Sequence, residues 1–161
     1  MKKLTILATA ALLLAACQNQ EQGYTLEGTL TGGEAQTGKV YLQKQTPDGQ
    51  LLRTDSATIT DGRFSMAGHI DSPELYTLYI DLRTDPTESV KGKVFASNFY
   101  LENSPITFTG DLATLPGLFY DPNRKTEAPV ITGSATQDFY TQFLQSMKSI
   151  NDSLTAIDRR Y

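Results

Sequence analysis

Between Tyr24 and Gly110 the chain consists of short segments in which apolar and polar residues alternate, with turn-forming residues between the segments. Such alternation is typical of β-strands with one buried face, because successive side chains of a strand point to opposite sides of its sheet. About seven segments follow one another without an intervening helical pattern. This pattern predicts a mainly β fold, an antiparallel β-sandwich over residues 24–133.

An Asp-Gly dipeptide at 61–62 is typical of a tight type I′ hairpin turn, in which both central residues have positive φ. A hairpin there places Ile59 opposite Phe64 on the buried face. Two residues further from the turn, Ala57 lies opposite Met66. We therefore expect the strands on either side of this turn to be neighbours in one sheet.

The turn at residues 102–105 predicts a second hairpin by the same reasoning, with Leu101 facing Ile106. Phe99 then faces Phe108 on the same buried side.

One segment breaks the alternation. Continuing the register back from residue 61 puts Arg53 and Asp55 on the core face while Leu52 faces outward. Since charged residues would then face the core and a leucine the solvent, we expect a β-bulge or a strand end near residues 53–55.

The pattern changes after Gly110. Residues 112–129 carry three prolines and no alternation, which predicts an irregular crossing before a short strand at Val130 and Ile131. From Ser134 the apolar period becomes helical. Ser134 and Gln137 have the spacing of a capping box, and Asp138 is favourably placed near the positive end of the helix dipole.

The predicted helix, residues 134–161, carries one continuous apolar row: Phe139, Phe143, Met147, Ile150, Leu154, Ile157 and Tyr161. Two interpretations are open. The row folds back onto its own sheet, or the helix packs only at its start and its distal part faces a partner. In the second case the partner-facing residues are the last five of the row: Met147, Ile150, Leu154, Ile157 and Tyr161. The length of the helix and its uncapped end also suggest a truncated chain.

Residues 1–16 have a basic tip, an apolar run and small residues before Cys17, which is typical of a bacterial secretory signal and too short for a membrane span. Residues 14–17, Leu-Ala-Ala-Cys, resemble a lipoprotein lipobox. This resemblance implies cleavage before Cys17 and attachment of membrane lipid to its thiol, with a polar, flexible tether over residues 17–23. The residue after Cys17 is not aspartate, which by the same resemblance favours the outer membrane, with the leaflet open. The alternative is a secreted protein cut elsewhere, with Cys17 a free thiol.

Composition restricts the chemistry. The chain has 14 basic and 18 acidic side chains, one cysteine and one histidine. A single cysteine excludes an internal disulfide, and a single histidine disfavours His-rich metal sites and His-based triads, so neither a metal nor a cofactor is expected. The basic residues are scattered, and loss of residues 1–16 makes the chain more acidic still. We therefore expect no nucleic-acid partner.

Short motifs from Tyr24 to Phe143 resemble a domain of unknown function in Bacteroidetes lipoproteins, which commonly precedes a thioredoxin-like domain of the peroxiredoxin or thiol:disulfide interchange type. The motifs are Tyr24-Thr25-Leu26-Glu27-Gly28, Lys39-Val40-Tyr41-Leu42, Asp55-Ser56-Ala57, Asp61-Gly62-Arg63-Phe64 with Gly68, Phe99-Tyr100-Leu101-Glu102-Asn103 and Ile131-Thr132-Gly133-Ser134. The resemblance implies a sandwich followed by a helix, a lipid-anchored envelope location, and redox chemistry that belongs to the following domain.

Several residues are candidates for sites. Ser56 and Ser153 lie in Asp-Ser-Ala and Asp-Ser-Leu triplets that resemble an O-glycosylation signal of that lineage, provided that the serines are exposed. Calcium ligation by the loop acids is disfavoured because their spacing matches no ligand loop: Asp81, Asp85 and Glu88. His69 alternates outward beside Gly68, and an exposed or locally hydrogen-bonded histidine is favoured over a catalytic role because the chain has no second histidine. Four tyrosines could stack on a sugar or peptide, although packing is the commoner role of strand tyrosines: Tyr76, Tyr79, Tyr100 and Tyr120.

These observations predict a non-catalytic, lipid-anchored module of the cell envelope. It would be the N-terminal docking or spacer domain of a thiol-redox lipoprotein, with a following thioredoxin-like domain or a second copy as its protein partner. The alternative is a stand-alone envelope protein that binds a glycan or peptide through loop ends such as residues 83–93. A hydrolase is a third option without support from the sequence.

Overall fold

The computed structural model of the protein describes residues 23–33 and 37–158. In these residues it contains eight strands and one helix: β1 (Tyr24–Thr31), β2 (Gly38–Gln45), β3 (Leu51–Ile59), β4 (Arg63–Gly68), β5 (Glu74–Asp81), β6 (Val94–Leu101), β7 (Pro105–Asp111), β8 (Val130–Thr132) and α1 (Ala135–Asp158). The mainly β fold with a C-terminal helix is therefore confirmed, with one strand more than expected.

The strands form two four-stranded sheets with the orders β4-β1-β7-β8 and β3-β2-β5-β6. All neighbouring strands are antiparallel except β1 and β7, which are parallel. The parallel pair arises because β1 and β7 are far apart in sequence and no hairpin constrains their direction.

The inward residues of both sheets form one shared hydrophobic core, in agreement with the alternation in the sequence. In β1 every second residue is buried, and β7 repeats this pattern. The residues of the core are Tyr24, Leu26, Leu30, Val40, Leu42, Ile59, Phe64, Met66, Tyr76, Leu78, Ile80, Phe95, Phe99, Leu101, Ile106, Phe108, Leu112 and Leu115. Every one of them lies between residues 24 and 115, so the core is complete without α1.

Gly28 leaves room for an aromatic ring. It lies opposite Phe64 in the β1–β4 ladder, and a Cβ at Gly28 would approach that ring to 1.9 Å. The ring of Phe64 in turn packs against Phe108, with 6.2 Å between the ring centroids. A side chain at position 28 would displace this contact.

The type I′ turn at 61–62 is present, with φ of 49° at Asp61 and 71° at Gly62, but the expected strand register is wrong. After the bridge between Thr60 and Arg63 the two strands separate into different sheets. Ile59 lies opposite Gly38. Phe64 lies opposite Gly28.

The predicted partners of the next position are separated in the same way. Ala57 lies opposite Val40 in the first ladder, and Met66 lies opposite Leu26 in the second. The physical reason is that alternation specifies which side chains face the core, whereas the two sheets of a sandwich face that core from opposite sides.

The turn at 102–105 also switches sheets, so the second predicted hairpin is wrong for the same reason. Phe99 lies opposite Tyr76 in the β5–β6 ladder. Phe108 lies opposite Gly28 in the β1–β7 ladder.

Leu101 and Ile106 are likewise in different ladders. Leu101 lies opposite Glu74, and Ile106 lies opposite Leu26. Leu101 and Ile106 are nevertheless buried, as the alternation indicates.

The predicted irregularity near residues 53–55 is a β-bulge. Leu42 pairs with Asp55 and Gln43 with Arg53, so Thr54 is the extra residue of β3. Its hydroxyl donates a hydrogen bond to the carbonyl of Leu42 at 3.4 Å. The bulge leaves Leu52 on the outside and turns Asp55 toward Tyr24.

Residues 112–129 form an irregular crossing to the short strand β8, as expected. The crossing is attached to the sandwich by Leu115, which is buried, and by the guanidinium of Arg124, which donates to the carbonyl of Leu112 at 2.6 Å. Strand β8 then pairs with β7 and brings the chain to the start of α1.

Candidate functional site

The start of α1 is fixed by a helix cap to the backbone of β6, the edge strand of its sheet. The Oγ of Ser134 accepts a hydrogen bond from the backbone N–H of Gln137 at 3.0 Å and donates one to the carbonyl of Tyr100 at 3.1 Å. Ser134 is fully buried. The Oε1 of Gln137 accepts the N–H of Tyr100 at 2.9 Å, so this side chain ties the helix to β6. The predicted N-cap at Ser134 is confirmed, but the reciprocal contact of a capping box is not formed, because the Gln137 side chain accepts from Tyr100 instead of from the Ser134 N–H.

Glu102 provides a second cap from the turn between β6 and β7. Its carboxylate accepts the N–H groups of Ala135 at 2.7 Å and Thr136 at 3.1 Å, and the hydroxyl of Thr136 at 2.5 Å. These donors, the Thr136 hydroxyl first, hold the pKa of Glu102 below its ordinary value. The negative charge also lies at the positive end of the helix dipole, so this carboxylate stabilises the helix start.

Two further contacts fix the direction in which the helix leaves the sandwich. Gly133 has φ of 90°, and a Cβ on it would approach the carbonyl oxygen of Pro105 to 1.9 Å, so this position requires glycine. The rings of Tyr100 and Tyr140 contact each other edge to face, with 5.2 Å between centroids. Together with the two caps, these contacts form the joint, which comprises residues 100, 102, 133, 134, 136, 137 and 140.

Beyond the joint the helix is exposed on all sides. None of the 24 residues of α1 is buried. Eight large apolar side chains of α1 are exposed, with exposed fractions from 36% at Tyr140 to 73% at Phe139. They form the apolar stripe: Phe139, Tyr140, Phe143, Leu144, Met147, Ile150, Leu154 and Ile157.

This arrangement decides between the two interpretations of the helix row. The interpretation in which the whole row folds back onto its own sheet is wrong, because the sandwich buries no side chain of α1. The residues predicted to face a partner are exposed: Met147, Ile150, Leu154 and Ile157. Tyr161 lies outside the described residues. That these residues contact a partner stays a prediction.

The sequence interpretation missed the role of Glu102. The sequence pattern predicts only a turn at residues 102–105, and the capping carboxylate is more than thirty positions from the helix that it caps. No short-range signal identifies it, because the first turn of the helix already contains an acidic residue, Asp138.

The predicted lipidation site Cys17, the predicted signal peptide and tether residues 17–22 lie outside the described residues. In the part of the chain that is described, no helix combines the length and apolarity needed to cross a membrane.

Both candidate glycosylation serines are exposed. Ser56 lies on β3 opposite Tyr41. Ser153 lies on α1 and donates its hydroxyl hydrogen to the carbonyl of Ser149 at 2.8 Å. Their modification stays a prediction.

The acidic residues at the end of β5 and in the loop that follows it accept hydrogen bonds from neighbouring basic side chains and from other donors of the loop. Asp81 accepts two hydrogen bonds from the guanidinium of Arg83, at 2.8 and 2.9 Å. Glu88 accepts from Lys93 and from Thr84, and these contacts lower the pKa of Glu88 to about 2. Residues 23–33 and 37–158 contain no group of three or more ligating side chains placed to hold a metal ion.

A polar cleft of about 500 Å³ lies at one end of the sandwich, beside His69. Two residues that line it, Tyr24 and Asp55, are hydrogen-bonded to each other, since the hydroxyl of Tyr24 donates to Asp55 at 3.0 Å. Burial raises the pKa of Tyr24. Lys44 forms an ion pair with Glu74 at 2.8 Å. His69 itself is exposed, in agreement with its outward position in the sequence pattern.

A second cavity, of about 450 Å³, lies between the end of the loop before β6 and the crossing segment. Phe119 and Tyr120 line it and are 70% and 91% exposed. Lys91 and Asp121 form an ion pair at its wall, with 3.0 Å between Nζ and Oδ2. Exposed aromatic rings beside charged groups can stack on a sugar or a peptide.

The other three tyrosines considered for stacking have different surroundings. Tyr76 is buried in the core, and Tyr100 belongs to the joint. Tyr79 lies on the outer face of its sheet against Tyr41, with 6.2 Å between ring centroids.

Comparison with known proteins identifies a family. The family model described as Domain of unknown function (DUF4369) matches residues 24–140, so the chain belongs to this family. The matched segment covers the sandwich, the joint and the first turns of α1. No curated protein and no solved structure gives a match to the chain.

Proposed function

We propose that this member of the DUF4369 family is a non-catalytic, lipid-anchored module of the cell envelope. In this proposal it is the N-terminal docking or spacer domain of a thiol-redox lipoprotein. Cys17 carries the lipid, and α1 holds a following thioredoxin-like domain at a set distance and angle from the sandwich.

The observation that carries the spacer role is the joint. A helix whose first turn is capped by Ser134 and Glu102 and oriented by Gly133 is rigidly connected to the sandwich. Because the rest of α1 buries nothing on the sandwich, the helix extends away from it as an arm. At about 1.5 Å per residue, an arm of 24 residues is roughly 36 Å long.

The lipid anchor is supported by the lipobox-like residues 14–17 and is tested by metabolic labelling. Cells expressing the full chain are fed radiolabelled palmitate, and Cys17→Ala is compared with the tether control Gln20→Ala. We expect label and membrane association in the wild type and in Gln20→Ala, and neither in Cys17→Ala. Equal labelling of all three chains would contradict the anchor.

The spacer role is tested at the gene. Sequencing past the codon for Tyr161 is expected to show a thioredoxin-like domain with a Cys-x-x-Cys pair, in the same or the adjacent reading frame. An authentic stop codon with no such neighbour would contradict the role.

The second cavity favours one alternative function, binding of a glycan or a peptide. It presents Phe119 and Tyr120 beside the ion pair of Lys91 and Asp121. Screening residues 18–161 against glycan and peptide arrays tests this. A ligand of this cavity would lose binding in Tyr120→Ala but not in Tyr79→Ala, which changes a tyrosine that does not line the cavity.

A further inference from the structure

The spacing of the apolar stripe is that of a coiled coil. Six of its residues follow one another in steps of three, four, three, four and three positions: Tyr140, Phe143, Met147, Ile150, Leu154 and Ile157. From Tyr140 to Leu154 the steps average 3.5 residues over two heptads, and Ile157 continues the pattern. A period of 3.5 keeps an apolar seam facing one partner helix along its whole length, whereas packing onto a sheet does not require it.

Apart from Asp158 at the end of the helix, the residues beside this seam are uncharged, which suits an identical partner. At 100° per residue, Ser146 and Ser153 flank it on one side and Asn151 on the other. The ion pair between Lys148 and Asp152 lies on the far face of the helix. Two copies of α1 can therefore approach without placing like charges opposite one another over most of the seam.

The size of the stripe also fits a stable pair. Covering its eight side chains would bury on the order of 700 Å² on each copy, close to the roughly 800 Å² per partner of a specific protein interface.

The charge of the helix argues against a membrane surface as the occupant. Helices that lie on membranes carry many Lys and Arg residues on their polar face. In the described helix the only basic residue is Lys148, against three acids: Asp138, Asp152 and Asp158.

We propose that α1 pairs with α1 of a second copy of this chain through the apolar stripe, so that the protein is a dimer. The inference rests on the proposed role of α1 as an arm, to which it adds that two arms associate. A dimer of this kind places two sandwiches, and whatever each arm carries, in one assembly.

Sedimentation equilibrium of residues 18–161 tests the pairing. This segment contains the whole buried core, so it is expected to fold on its own. The variant is Ile150→Glu, which puts a charge in the middle of the stripe. The matched control is Gln145→Glu, which puts the same charge on the far face.

We expect the wild type and Gln145→Glu to be reversible dimers at about 100 μM, where a dimer with a micromolar Kd is nearly complete. Ile150→Glu should raise the dimer Kd by at least about 100-fold, because two carboxylates would be buried in one apolar seam. The melting temperature of the sandwich should be the same in both variants.

Three outcomes would overturn the proposal. A wild type that is monomeric at this concentration would mean that another domain covers the stripe. A monomer that co-sediments with vesicles of neutral or anionic lipid would make a membrane the occupant. A dimer that Ile150→Glu leaves intact would lie on another face. Palmitate labelling and the downstream reading frame are independent of each result, so the proposed function can fail separately.

Discussion

Phe108 and Phe143 are the same amino acid in the two parts of the molecule, and their surroundings are opposite. Phe108 lies in the sandwich core and is 1% exposed, whereas Phe143 lies on α1 and is 52% exposed. Both belong to regular apolar rows, one with the period of a strand and one with that of a helix. The periodicity of an apolar row therefore identifies which face of a strand or helix must be buried. That face is buried within the same chain only if another element of the chain packs against it.

The largest expected effect separates these two phenylalanines. Phe108→Ala leaves a cavity next to Phe64 and should lower the free energy of unfolding by about 3–5 kcal/mol. Phe143→Ala, measured at a concentration low enough to keep the chain monomeric, should change it by less than about 0.5 kcal/mol. Urea unfolding followed by tyrosine fluorescence measures both. Similar losses for both variants would mean that α1 packs on its own sandwich.

Gly133→Ala is expected to have the next largest effect, because Gly133 belongs to the joint between the sandwich and α1. The positive φ and the approach to the carbonyl of Pro105 should together cost about 1–3 kcal/mol. Gly92→Ala is a matched control, since it also replaces a glycine of positive φ but has open space around it. If the two variants lose the same stability, the close contact at Pro105 does not constrain the joint.

Glu102→Gln removes the charge that caps α1 and should destabilise the helix start by about 1 kcal/mol, a modest value because the carboxylate is partly exposed. The effect should depend on pH. The pKa of Glu102 is lowered in the folded chain, so its contribution is complete above the ordinary glutamate pKa. It disappears as the pH falls through the lowered value.

The stability difference between wild type and Glu102→Gln should therefore stay constant down to about pH 5 and shrink as the pH falls below the ordinary glutamate pKa. Circular dichroism during urea unfolding at several pH values measures it. A difference that stays constant with pH would show that the carboxylate is not held by the helix start.

The smallest effect is expected on the far face of the arm. Lys148→Ala breaks the exposed pair with Asp152, which has a distance of 2.5 Å, and should change the stability by no more than about 0.5 kcal/mol. It should leave the dimer intact, in contrast to Ile150→Glu. Loss of the dimer in Lys148→Ala would place the interface on the charged face.

The sequence predicted well those features that depend on neighbours in the chain. The alternation marked the core rows of β1 and β7, the inverted preference at residues 53–55 marked the bulge at Thr54, and Ser134 was recognised as a helix cap. Each of these signals arises from residues within a few positions of one another.

The errors concern contacts between distant segments. The turns at 61–62 and 102–105 were assigned to hairpins, although each passes the chain from one sheet to the other. Facing the core is the same requirement in both sheets, so alternation cannot tell which sheet a strand joins. The cap from Glu102 was missed because a carboxylate in a turn gives no sign of which distant helix it will contact.

Hydrogen exchange at two protein concentrations tests most directly whether α1 finds its partner outside its own sandwich. We expect amides of residues 147–157 to become more protected as the concentration rises, while those of β1 and β5 stay unchanged. Protection of residues 147–157 that matches the strands and does not vary with concentration would contradict this expectation.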